Sequence, residues 1–144
     1  MKIQLRKAAL KDSNAISELC FQFGYETDVS QIKFRLTNIL PNKDNCVFVA
    51  ETDNNVIGWI HAFFSYRVES SPFVEIAGFV VDKKFRNLGI GKNLLSEVYD
   101  WTKSIGYTKV RVRCNTKRVE THIFYKKNDF IEVKEQKIFN KLLE

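Results

Sequence analysis

Residues 85–95 read FRNLGIGKNLL, a basic residue and two closely spaced glycines running into an apolar pattern of helical period. Glycine lets the backbone turn and approach a ligand closely, and a helix that begins here leaves its first N–H groups without intrahelical acceptors. Those amides, together with the positive end of the helix dipole, suit a phosphate. Arg86 and Lys92 would add charge beside the amides of Leu88, Gly89, Ile90 and Gly91, with Asn87 in the same turn. Two phosphate loops of this general kind do not fit. A nucleoside-triphosphate loop requires GxxxxGK followed by Ser or Thr, whereas Arg86 occupies the place of its first glycine and Asn93 follows Lys92. A dinucleotide fold requires a third glycine where Leu94 stands, and residues 109–115 contain no acid to hold a ribose.

The elements around this loop follow from hydrophobic period. KIQLRK alternates as a half-buried strand does, and Asp12 or Ser13 can cap a helix whose stripe is Ile16, Leu19, Cys20 and Phe23. DVSQIKFRLTNIL places Ile32, Leu36, Ile39 and Leu40 on one face and ends at Pro41, which predicts a second helix. CVFVAE, VIGWIHAFFSYRV and FVEIAGFVVD, separated by turn residues, predict an antiparallel meander. The glycine loop then opens a third helix, and TKVRVRC supplies a strand parallel to the one before it, joined by a right-handed crossover. A fourth helix over VETHIFYKKN and a closing strand pair in FIEVK and KIFNK complete the order. The expectation is an α/β fold: a mixed, mostly antiparallel sheet with helices on both faces and the ligand at the carboxyl ends of the parallel strands.

A chain of 144 residues, 44% apolar and 13% aromatic, suits a single domain over residues 1–144, and 6 Gly with 2 Pro leave little room for a flexible linker. The opening MKIQLRKAALKD lacks the apolar core of a secretion signal, and no stretch approaches the roughly 18 uncharged apolar residues of a membrane span, so a cytoplasmic protein is expected. Cys20, Cys46 and Cys114 are odd in number and lie in unlike contexts, which favours reduced thiols. His61 and His122 show no metal-ligand spacing, and no metal is expected. The net charge of +6 implies an anionic partner, either nucleic acid or a nucleotide cofactor. No helix-turn-helix or RNA-binding aromatic signature favours the former.

What remains, Arg86-x-x-Gly89-x-Gly91 directly after VEIAGFVVD, resembles the GNAT superfamily of acetyl-coenzyme A-dependent N-acetyltransferases. RVETHIFYKKNDF is similar to that family's helix segment with Phe-Tyr and a closing Gly-Phe, and IQLRKAALKDSNAISEL to its opening; Thr121 and Asp129 depart from the usual alanine and glycine. Aspartate tolerates the left-handed backbone better than most residues, so a helix can still end at Asp129. The resemblance implies acetyl-coenzyme A as co-substrate, an amine of a small molecule or protein as acceptor, one splayed parallel strand pair, and often a homodimer.

It also implies site residues. Gly78, inside a β-rich strand, marks either the family's bulge or room for a bulky core neighbour. Phe79, Val80 and Val81 match the backbone that lies along the pantetheine arm, and Asn115 a cofactor contact that could equally cap a helix. Glu75 matches the base carboxylate, and plain alternation puts it on one face with Phe73, Ala77 and Phe79. Deprotonating an alkylammonium at pH 7 costs about 4.6 kcal/mol, which such a base would help to meet. Tyr125 of the Phe-Tyr pair matches the acid for the departing thiolate, with Phe124 facing the core and His122 a surface or packing residue. Tyr25, Glu26 and Asp28 fall on the acceptor side. No cysteine takes a matched catalytic position, so direct attack in a ternary complex is implied; a non-catalytic module that senses acetyl-coenzyme A is the alternative.

Overall fold

A sheet built from the predicted meander organises the chain. The computed structural model describes residues 1–144, which divide into two compact units, Met1–Val112 and Arg113–Glu144. The first contains β1 (Gln4–Lys7), α1 (Ser13–Gln22), α2 (Val29–Ile39), β2 (Asn45–Thr52), β3 (Asn55–Ser65), β4 (Phe73–Val81), α3 (Ile90–Ser104) and β5 (Val110–Val112). Its sheet runs β1-β2-β3-β4-β5, antiparallel throughout except for the parallel pair β4–β5. The mixed, mostly antiparallel α/β architecture is the one the hydrophobic periods predict.

Cross-strand register assigns the two faces. Trp59 lies opposite Val49 and Val80, and His61 opposite Val47 and Gly78, so these side chains share one face. The stripes of α1 and α2 cover it: Ile16, Cys20, Ile32 and Leu36 form one buried cluster with Val47 and Val49, and Trp59 packs against that cluster. The opposite face, with Ile60 and Ala62, receives α3 through Leu94, Leu95 and Val98, all fully buried.

Polar side chains fix the helix starts. Asp28 caps α2, accepting from the Gln31 amide at 2.8 Å. Asp12 does not cap α1. Its carboxylate instead accepts from the Ala9 amide and from both terminal nitrogens of Arg6, each at 2.8 Å, while Arg6 Nη2 also reaches Glu51 at 3.2 Å. Burial works against charge on Asp12, but the hydrogen bonds from Arg6 and Ala9 outweigh it and hold the carboxyl below the usual carboxylate range. This pair ties β1 and β2 to the start of α1.

The second unit holds α4 (Val119–Lys127), ending where Asp129 takes the left-handed conformation at φ +68°. The Asp129 amide donates to Lys126 O and the Phe130 amide to Tyr125 O, the bonding of a Schellman turn, so aspartate serves where glycine is usual. The strand pair expected in FIEVK and KIFNK does not form: residues 130–144 have no regular secondary structure, and Ile131, Val133, Ile138 and Phe139 are exposed. Alternation makes a strand only where a neighbouring edge accepts the backbone hydrogen bonds, and nothing in the period of a segment supplies that edge.

Candidate active site

The loop from β4 to α3 begins with a turn in which Asp82 accepts from the Lys84 amide at 3.0 Å. Asn87 and Gly89 then adopt left-handed conformations, at φ +63° and +78°, and bend the chain into α3. The first intrahelical bond is Asn93 N to Gly89 O, and the amides of Leu88, Gly89, Ile90, Gly91 and Lys92 donate to no acceptor within the chain. That is the donor set a diphosphate needs. Arg86 and Lys83 share the ring of Phe23 at the end of α1, the guanidinium carbon 5.1 Å and the ammonium 5.6 Å from its centroid. In the sequence Phe23 reads only as part of a core stripe; the distance along the chain hides its contact with the loop.

β4 carries the second feature. Ile76 pairs with Ala62 and Gly78 with His61, so Ala77 is one residue too many and forms a bulge. A Cβ on Gly78 would lie 2.5 and 2.7 Å from two carbons of the Trp59 indole, so this glycine also makes room for a core neighbour. Both meanings offered for Gly78 hold at once. The parallel ladder with β5 spans Val74 to Ile76, and β5 ends at Val112. Phe79, Val80 and Val81 run on beyond that ladder, with Val80 buried and its two neighbours half-buried.

The bulge corrects the face expected for Glu75. Beyond Ala77 the alternation changes phase, so Glu75 shares its side of the sheet with Phe73, Gly78 and Val80, while Phe79 lies on the other side with Ile60. Glu75 is half-buried on the α1/α2 side, opposite Phe63 and beside Arg111 of β5. His61, on the same side, donates from Nε2 to Asn45 Oδ1 at 2.7 Å, and burial lowers its pKa. Between α1 and α2, Tyr25 and Glu26 are exposed, and the Asp28 carboxylate is held by the start of α2 and by Ser30. Burial pushes the Cys46 thiol up to about 12, and it raises Cys20 as well.

In the second unit, Asn115 Oδ1 accepts from the Lys117 amide at 2.9 Å, closing a turn ahead of α4 without capping it. His122 Nε2 donates to the Asn115 carbonyl at 2.9 Å and so pins this turn. Tyr125 is the buried member of the Phe-Tyr pair and Phe124 the half-buried one, the reverse of the expected facing. The Tyr125 ring meets Phe124 and Phe130 edge-on at 5.4 and 5.1 Å.

Comparison with known proteins agrees with this architecture. The chain is 25% identical to an aminoglycoside N(6')-acetyltransferase type 1 of Stenotrophomonas maltophilia, over 97% of this chain and 94% of that protein. The fold superimposes on AAC(6')-Iy, solved with a bisubstrate analogue of coenzyme A, at a TM-score of 0.87 and 20% identity, covering 99% and 100% of the two chains. It also superimposes on glucosamine-6-phosphate N-acetyltransferase of Arabidopsis thaliana at 0.83 and 22% identity, covering 100% of each. Residues 12–130 match the Acetyltransferase (GNAT) family, and the chain belongs to that family.

Proposed function

We propose that the protein transfers the acetyl group of acetyl-coenzyme A to a primary amine of a small molecule, by direct attack in a ternary complex. The observation that carries this reading is the run of amides from Leu88 to Lys92, without acceptors in the chain, at the mouth of the 15-residue helix α3. These residues fit a diphosphate, with Arg86 and Lys92 adding charge. The pantetheine arm lies along Phe79–Val81, past the bulge, and Asn115 is a further contact by family pattern. Glu75, directly or through water, takes the ammonium proton. The amine nitrogen then bonds to the acetyl carbon, the carbon–sulfur bond breaks, Tyr125 gives its phenolic proton to the thiolate, and the nitrogen sheds its second proton through water to the tyrosinate, which restores the phenol and leaves a neutral amide.

Titration with coenzyme A tests the first half: at 100 times the dissociation constant it adds about 2.7 kcal/mol of stability. Amine-dependent release of free thiol from acetyl-coenzyme A tests the second. No coenzyme A binding overturns the reading altogether, and tight binding without amine-dependent release turns it into a sensing module.

A further inference from the structure

We infer that the acceptor is an amine that also carries an anionic group, a carboxylate or a phosphate, held by Arg67, Lys109 and Arg111; this rests on the acetyltransferase reading above. All three cations converge on the ring of Phe73. The guanidinium carbons of Arg111 and Arg67 lie 4.2 and 5.2 Å from its centroid, and the Lys109 ammonium 5.5 Å. Phe73 is completely buried, at 0% exposure, beneath them. Asp12 and Glu51 pair with Arg6 and not with any of the three cations. Arg67 uses only Nε, on Ser65 Oγ at 3.2 Å, and Arg111 donates to no acceptor within the chain. Convergent guanidinium groups with donors to spare, next to a third positive charge, form a receptor for an oxyanion.

The placement relative to Glu75 supplies the rest. Phe73 and Glu75 are on one side of β4, two residues apart, which spaces them by about 7 Å. Arg111 is the direct cross-strand partner of Glu75 on β5. An amine delivered to Glu75 therefore brings its other end to the cations at a distance that an ω-amino acid or a phosphorylated amino sugar spans. A polycation such as an aminoglycoside would meet like charge there.

The test is calorimetric binding to the full chain, with and without saturating coenzyme A, of matched pairs: a hexosamine 6-phosphate against its parent hexosamine, 6-aminohexanoate against hexylamine, and spermidine as the polycation. At least one anionic member should bind about tenfold more tightly than its neutral partner, and which one does so separates phosphate from carboxylate. Arg111→Gln should shrink that advantage to about threefold or less while leaving coenzyme A affinity unchanged. Arg67→Gln, on the β3–β4 connection, makes the same test should the β5 substitution disturb the sheet. Equal binding within both pairs, a preference for spermidine, or an advantage that survives both substitutions overturns the inference. Failure of coenzyme A to bind would instead overturn the acetyltransferase reading, and the acceptor titration still reports on the cations by itself.

Discussion

Gly78→Ala should destabilise the protein because of Trp59 alone. The added methyl would sit 2.5 and 2.7 Å from two carbons of the indole six-membered ring, inside any real carbon contact. The ring packs on the α1/α2 core and has little freedom to retreat, so overpacking of about 1–3 kcal/mol is expected. At this chain length that is roughly 4 °C of melting temperature per kcal/mol. Gly78 is not among the residues of positive φ, so alanine meets no backbone obstacle there. A phenyl ring in place of the indole lacks the outer carbons that clash. In a Trp59→Phe background, Gly78→Ala should therefore become neutral, or stabilise by about 0.4–1 kcal/mol through the stiffer unfolded chain. Thermal and urea unfolding of the four proteins give the coupling energy directly. A wild-type background that tolerates the alanine, or an undiminished loss once Trp59 has been replaced, would refute the claim that the indole dictates this glycine.

Four further outcomes are expected. Gly89→Ala places its methyl in space free of chain atoms, so it should cost only the left-handed strain, about 1–2 kcal/mol in urea unfolding, while weakening coenzyme A binding measured by titration; an unchanged dissociation constant would remove the 88–92 amides from the site. Asp12→Asn should cost about 3 kcal/mol by leaving Arg6 underpaired. Because Asp12 has a depressed pKa in the fold, its contribution is complete above the ordinary carboxylate value and fades as pH falls through the folded one, so the variant should show a flatter acid limb in melting temperature against pH. Cys46, with its thiol pushed up to about 12, should stay unmodified by iodoacetamide at pH 8 in the native state and react on unfolding, as read by mass spectrometry. Tyr125→Phe should lower turnover by about tenfold or more with little change in coenzyme A affinity, and equal losses in both would count against its role as acid.

The sequence made the meander, the four helices and the loop at the mouth of α3 legible because each is a local matter of period and of glycine placement. The helix end at Asp129 was legible for the same reason. What it hid depends on partners remote in the chain. Asp12 has the look of a helix cap, but Arg6 and Glu51 claim it from another strand. The face of Glu75 follows from plain alternation only if no residue is surplus, and Ala77 gives no local sign of being one. Phe23 under Arg86, Trp59 over Gly78 and the cations around Phe73 are tertiary contacts that no spacing announces. FIEVK and KIFNK show the converse, a period without an edge to complete it.

The bulge at Ala77 has no cross-strand partner on β3, so deleting that residue would leave every other β3–β4 pairing where it is. The shortened strand would also lose the local twist that a bulge introduces. The change of phase along β4 is encoded by arithmetic rather than by any side chain: nine residues set against the eight of β3 from Gly58 to Ser65.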